Sequence, residues 1–79
     1  MIQDGLEKVI ETFCDEDGDI TCDDGLREAV EGFFNMVGIK YTDNIEEMFD
    51  SPGMDVYSYS IAWEENNKLN MITYRICYF

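Results

Sequence analysis

The stretch DEDGDITCDD, residues 15–24, separates two copies of one short phrase. The first copy is DGLEKVIETF at residues 4–13, and the second is DGLREAVEGF at residues 24–33. In both copies the apolar residues recur at the spacing of one helical face. The acid-rich stretch between them is therefore predicted to be the turn between two amphipathic helices. The repeat fits either a pseudo-symmetric helical hairpin or convergence on a favourable helix start, because two copies are too few for a solenoid.

The apolar faces set the bounds of these helices. The first helix is predicted over residues 4–13, with Asp4 as its N-cap. The second helix is predicted over residues 24–37, with Thr21 or Asp23 as its cap.

A brief third helix is predicted over residues 43–50, with Asp43 as its cap. Its inward-facing residues would be Ile45, Met48 and Phe49. Gly38 is well placed to end the second helix in the left-handed conformation. The sequence SPG at residues 51–53 is expected to stop the third helix and turn the chain.

Residues 54–79 are predicted to form an antiparallel β-hairpin, with strands at 54–64 and 69–79 rich in Tyr, Ile, Val and Thr. The pair Asn66-Asn67 suits a two-residue turn, since Asn tolerates a positive φ. That turn fixes a register with these pairs: Glu65 with Lys68, Trp63 with Asn70, Ile61 with Ile72, Tyr59 with Tyr74 and Tyr57 with Ile76. The same register gathers the large aromatic and aliphatic residues on one face.

A two-stranded hairpin is marginal by itself, so its aromatic face is expected to cover the apolar stripes of the helices. The predicted fold class is α+β, with two or three N-terminal helices packed on a C-terminal antiparallel β-hairpin. The chain of 79 residues is expected to form a single domain, with an acidic helical part at 1–53 and the hairpin at 54–79. A chain this short buries only about 60–65% of its unfolded surface, which leaves little room for a deep pocket.

The net charge of −13 is unevenly distributed. Residues 1–55 hold 16 acidic and 3 basic side chains, and residues 56–79 hold two of each kind. A field of this sign repels nucleic acid and anionic membranes and attracts basic surfaces or cations. We therefore expect a basic protein partner, with no direct nucleic-acid or membrane binding.

The sequence shows no signal peptide and no apolar run of membrane-spanning length, which favours a cytoplasmic location. Cys14, Cys22 and Cys77 make an odd count without metal-ligand spacing, so free thiols are expected. A redox link between Cys14 and Cys22 is the alternative.

Catalytic signatures are lacking in the sequence. The chain has no histidine, no Gly-rich phosphate loop and no Ser or Cys placed beside a base, so a non-enzymatic protein without a cofactor is expected. Residues 15–19 do resemble the D-x-D-x-D opening of an EF-hand loop. Counting twelve positions from Asp15, however, puts Leu26 where a bidentate Glu is needed. A degenerate EF-hand-type cation module remains one alternative function, and an acidic structural or assembly subunit is another.

Acidic residues form stripes on the predicted helices. Asp4, Glu7 and Glu11 fall within about 10 Å of helix, which approaches the charge density of one nucleic-acid strand. A second stripe is predicted from Asp24, Glu28 and Glu31, and a third from Asp43, Glu46, Glu47 and Asp50. The candidate partner-binding residues are those of the first two helices and the loop: Asp4, Glu7, Glu11, Asp15, Glu16, Asp17, Asp19, Asp23, Asp24, Glu28 and Glu31.

In size, charge and layout the chain resembles the acidic nucleic-acid mimics encoded by bacteriophages. These include anti-CRISPR proteins and inhibitors of restriction or repair enzymes. The resemblance implies a stoichiometric inhibitor that occupies the basic groove of a host nucleic-acid-binding complex in the host cytoplasm. Exposed aromatics such as Tyr41 or Phe79 would supply anchor contacts, and the protein would be a monomer or an edge-strand dimer.

Overall fold

Two helices are followed by three antiparallel strands in the computed structural model, which describes residues 2–78 without the side chains of 49–51. The elements in chain order are α1 (Ile2–Glu11), α2 (Leu26–Val37), β1 (Tyr41–Ser51), β2 (Met54–Glu65) and β3 (Lys68–Tyr78). The strands form one sheet in the order β1-β2-β3. The predicted α+β class with N-terminal helices is confirmed. The sheet has a third strand where only a hairpin was predicted, so the helical part ends near Gly38 and not at residue 53.

The two helices begin differently from their predicted starts. Asp4 lies inside the first turn of α1 and is not its cap. Gly25 is the N-cap of α2, with a φ of 78° and no side-chain capping hydrogen bond, so neither Thr21 nor Asp23 caps this helix. The equivalent glycines of the two repeat copies thus differ, because Gly5 is helical and Gly25 is left-handed. This difference favours convergence over true pseudo-symmetry.

Gly38 ends α2 as predicted. Its φ is 74°, and its amide donates to the carbonyl oxygen of Phe34 at 2.9 Å. The amide of Ile39 donates to the same oxygen at 3.2 Å. The carbonyl group of Phe34, in the last turn of α2, is therefore hydrogen-bonded before the chain enters β1.

The predicted third helix is wrong, because its residues form β1. This strand pairs with β2 along its length, beginning with Tyr41 opposite Trp63. The register shifts between Glu47 and Phe49, which makes Met48 the irregular residue, and its side chain is 64% exposed instead of facing inward. The helical spacing of three apolar residues favoured a helix here. Pairing with β2 outweighs it, because β1 satisfies backbone N–H and C=O groups along that strand which would otherwise lack partners.

The predicted hairpin is confirmed in its turn and its register. Asn66 and Asn67 have φ values of 55° and 64°, as a two-residue turn that matches the strand twist requires. All five predicted pairs occur: Glu65 with Lys68, Trp63 with Asn70, Ile61 with Ile72, Tyr59 with Tyr74 and Tyr57 with Ile76.

The core lies between the helices and the face of the sheet that carries Tyr59, Ile61 and Trp63, as predicted. Its buried residues are Leu6, Ile10, Ile20, Leu26, Val30, Phe33, Phe34, Tyr59, Ile61, Trp63 and Ile76. Full burial of one large apolar side chain contributes about 1.5–3 kcal/mol. The other face of the sheet is open, with Leu69 and Met71 largely exposed.

Phe34 is central to this packing. Its ring stacks on Tyr41 with centroids 4.5 Å apart and also contacts the rings of Phe33 and Trp63. Cys14, Cys22 and Cys77 carry free thiols. Within residues 2–78, neither helix is long and apolar enough to cross a membrane.

Candidate partner-binding surface

The loop between α1 and α2 is attached to the free edge of β3. The amide of the buried Ile20 donates to the carbonyl oxygen of Arg75 at 2.8 Å. The amide of Cys77 in turn donates to the carbonyl oxygen of Ile20 at 2.9 Å. Ile20 therefore anchors the acidic loop in the core and covers part of the β3 edge.

Hydrogen bonds within the loop, most of them to Asp15, fix its conformation. One carboxylate oxygen of Asp15 accepts hydrogen bonds from the amides of Asp17 and Asp19, both at 3.0 Å. The amide of Asp15 donates to the carbonyl oxygen of Asp19 at 2.9 Å. Gly18 has a φ of 83°, which an L side chain would adopt only with strain. Asp15 thus stabilises the turn through backbone donors.

Two of the predicted partner-binding acids hold the loop to β3. The carboxylate of Asp19 accepts two hydrogen bonds from the guanidinium of Arg75 in a bidentate ion pair. Nε lies 3.0 Å from Oδ1, and Nη2 lies 3.1 Å from Oδ2. Asp23 accepts a hydrogen bond from the hydroxyl of Tyr78. This bond raises the pKa of Tyr78 to about 12, because the carboxylate stabilises the protonated phenol. Asp19 and Asp23 therefore have partners within the molecule.

Most of the predicted residues are accessible. Nine of the eleven are exposed, and Glu7 and Asp19 are half-buried. Glu7 accepts a hydrogen bond from the side-chain amide of Gln3 at 3.0 Å. Up to Gly38 the chain holds eleven acidic and two basic side chains, Lys8 and Arg27. The helical layer and its loop therefore carry a net charge of −9.

The helical acids fall into two groups, with the loop acids between them: the α1 group is Asp4, Glu7 and Glu11, and the α2 group is Glu28 and Glu31. The α1 group lies near β3, since burial and then the charges of Glu7 and Glu11 raise the pKa of Tyr74. The α2 group lies near β1, since the pKa of Tyr41 is raised by burial and also by Asp43 and Glu31. The α1 and α2 groups therefore act on different strands, β3 and β1 respectively.

The sequence did not predict a partly buried hydrogen-bond network around Asp43. The carboxylate of Asp43 accepts two hydrogen bonds from Arg27, at 2.9 Å and 3.1 Å, and a third from the hydroxyl of Tyr59 at 2.9 Å. The Arg27 guanidinium, assisted by Tyr59, holds the pKa of Asp43 below its ordinary value. Burial, and then the bond to Asp43, raises the pKa of Tyr59. The position of Tyr59 on the predicted core face could have indicated this network, because the hydroxyl of a buried tyrosine usually has a hydrogen-bond partner.

The predicted third acidic stripe does not exist. Because β1 is a strand, the alternating register places Asp43 and Glu47 on the side of the helices and Glu46 on the open face. The side chain of Asp50 lies outside the described residues. Of the predicted aromatic anchors, Tyr41 is half-buried against Phe34, and Phe79 lies outside the described residues.

The concave regions of the surface are shallow clefts. One of about 320 Å³ lies between the start of α2 and the sheet. It is lined by Asp23, Asp24, Gly25, Leu26, Arg27, Glu28, Ile45 and Ile76. Its acidic rim is continuous with the α2 group, so it extends the same negative surface.

Metal ligation receives no support from the loop geometry. In the described part of the chain, no three side chains of His, Cys, Asp or Glu lie close enough together to hold a metal ion. Asp15 and Asp19, which begin and end the D-x-D-x-D pattern, are engaged with backbone amides and with Arg75 respectively.

Comparison with known proteins found no matching protein-family model, no matching curated protein and no matching solved structure. A functional proposal for this chain therefore depends on the chemistry of its surface.

Proposed function

We propose that this protein is a non-enzymatic inhibitor that binds the basic nucleic-acid-binding surface of a host protein complex by mimicking nucleic acid. Inhibition would be of the anti-CRISPR or anti-restriction type. The protein would occupy the basic groove stoichiometrically and would perform no chemistry on its partner.

The observation that carries the proposal is the charge of the helical layer. The helical layer and its loop hold eleven acidic side chains and only two basic ones, and one of these two, Arg27, is already paired with Asp43. Glu28 and Glu31, one helical turn apart, are separated by about 4.5 Å along the axis, close to the phosphate spacing of about 3.4 Å per strand. A groove lined with Lys and Arg would be attracted to such a surface as it is to a phosphate backbone.

The test is capture of proteins from a bacterial lysate on the immobilised protein, with elution by double-stranded DNA. We expect a nucleic-acid-binding complex to be retained and then released by DNA or by moderate salt, since both compete for the same basic groups. The affinity of the retained complex for the acidic protein, now free in solution, is then measured by calorimetry.

Three charge reversals localise the contact. Glu11→Lys and Glu28→Lys each place a positive charge in one acidic group and should weaken binding about fivefold to tenfold. Glu64→Lys is the matched control, because Glu64 is an exposed strand residue outside both groups. If DNA releases nothing, or if all three reversals weaken binding equally, the protein is not a nucleic-acid mimic that binds through its helical layer.

A further inference from the structure

The two edges of the sheet differ in how they are covered. The β3 edge is bridged by Ile20 from the acidic loop. The β1 edge has no such cover, since no other described segment makes a backbone hydrogen bond to Tyr41–Ser51 besides β2. Alternate residues of an antiparallel edge strand direct their N–H and C=O groups away from the sheet. β1 therefore offers a row of free backbone donors and acceptors.

Negative charge borders this edge from two elements. Glu46 and Glu47 are exposed on β1 itself, one on each side of the sheet. On the side of the helices, the α2 group lies beside the strand: Glu28 lines the same cleft as Ile45, and the charge of Glu31 acts on Tyr41. Arg27 lines the same cleft, but it is already paired with Asp43 of β1, so the edge and the acidic side of α2 form one surface of net negative charge.

The charges decide which strand this edge can accept. Pairing with β1 of a second copy would bring the Glu46 and Glu47 carboxylates of two acidic edges into one short interface, and repulsion between them would destabilise it. A Lys- or Arg-rich strand would instead gain both backbone hydrogen bonds and ion pairs. The irregularity at Met48 limits regular pairing to the segment from Tyr41 to Glu47, about 23 Å of strand.

We propose that the β1 edge binds an extended basic segment of the partner protein, which adds to the sheet as a fourth strand. This inference rests on the proposed function for the basic nature of the partner. Lysines or arginines at alternate positions of the segment would lie on the side of the helices, where they meet Glu47, Glu28 and Glu31. Backbone pairing would supply affinity, and the acidic side of α2 would supply selectivity for basic side chains.

Two synthetic peptides of about seven residues, the length of the segment from Tyr41 to Glu47, test this. One alternates Lys with Val, and the other has the same sequence with every backbone nitrogen methylated, so that their charge is equal but only the first can donate the backbone hydrogen bonds of a strand. Amide hydrogen exchange of the full-length protein is followed by NMR. We expect the Lys–Val peptide to slow exchange about tenfold at alternate residues from Tyr41 to Glu47, and the N-methylated peptide to leave these rates unchanged.

A pair of single substitutions tests the ionic part. Glu47→Gln should weaken binding of the Lys–Val peptide about threefold to fivefold. Glu64→Gln, which removes an exposed glutamate from β2, should leave the affinity within twofold of the wild type. Equal losses for both variants would mean that only the net charge matters and would overturn the proposed contact.

Other outcomes also overturn the inference. They are absence of protection in β1, equal effects of the two peptides, and a dimer in sedimentation whose β1 amides are protected without peptide. The result is separable from the proposed function. Lysate capture that DNA reverses, without protection of β1, refutes only the edge contact. Protection of β1 by a captured partner that DNA cannot release refutes only the mimicry.

Discussion

Asp43 connects three elements through its carboxylate. It lies on β1, accepts from Arg27 on α2 and accepts from Tyr59 on β2. The side chain of Asp43 is only 15% exposed, so its charge is compensated by donors instead of by water. The geometry ties the helical layer to the centre of the sheet at one point.

The hydroxyl of Tyr59 can be tested against that of its cross-strand neighbour. Tyr59→Phe removes a partly buried hydrogen bond to a carboxylate and should lower the free energy of unfolding by about 1.5 kcal/mol. Tyr74→Phe is the control, because the half-buried Tyr74 faces Tyr59 across the strands and its hydroxyl has no hydrogen-bond partner in the described part of the chain. That change should cost less than about 0.5 kcal/mol. Urea unfolding measures both, and equal losses would contradict the role given to the bond.

Acid should weaken the contribution of Asp43. The pKa of its carboxyl is lowered in the folded protein, first by the hydrogen bonds from Arg27, so the unfolded chain binds the proton more tightly. The stabilisation is therefore complete above the unfolded pKa of about 3.9 and is lost as the pH falls through the lower folded value.

The measurement is the difference in unfolding free energy between the wild type and Asp43→Asn as the pH is lowered from about 6 to about 3. We expect this difference to shrink on acidification. Protonation of the other carboxylates relieves repulsion in both proteins and largely cancels. A difference that stays constant or grows would show that Asp43 is not held ionised by its neighbours.

At the scale of the helices, two glycines make a matched pair. A Cβ at Gly32 in α2 would meet nothing within 4 Å, whereas one at Gly5 in α1 would lie 3.0 Å from a ring carbon of Phe33. Gly32→Ala should therefore raise the free energy of unfolding by about 0.5–1 kcal/mol through helix propensity.

Gly5→Ala should gain clearly less than Gly32→Ala or lose stability, since the buried Phe33 ring must shift to admit the methyl group. Thermal and urea unfolding of both variants measure the comparison. Equal gains would mean that α1 and α2 do not approach closely at Gly5.

At the scale of the whole molecule, the net charge of −13 should make stability depend on salt. Raising NaCl from about 0.02 M to about 0.5 M should raise the melting temperature, because screening relieves repulsion between carboxylates. The opposing effect is small. The described residues contain two ion pairs, Arg27–Asp43 and Arg75–Asp19, whose arginine side chains are 58% and 65% exposed, and ion pairs with an exposed partner contribute about 0–1 kcal/mol each.

The double variant Glu28→Gln and Glu31→Gln is the control for this dependence. It removes two exposed charges from α2 and should show a smaller rise in melting temperature over the same salt range. A fall of the melting temperature with salt in the wild type would show that the ion pairs outweigh the repulsion.

The sequence by itself determined the features that depend on near neighbours in the chain. The helical spacing of Leu26, Val30 and Phe33 predicted α2, and Gly38 ends it as expected. The turn at Asn66-Asn67 fixed the register of β2 and β3, because a two-residue turn leaves one pairing that puts the aromatic residues on a single face.

Only the tertiary structure decided the conformation of residues 41–51 and the use of individual carboxylates. Local spacing favoured a helix there, but pairing with β2 satisfies backbone groups that no local pattern reports. Likewise, the sequence predicted the sign and density of the acidic surface. It did not predict that Asp19, Asp23 and Asp43 bind Arg75, Tyr78 and Arg27, because those contacts join residues at least 16 positions apart.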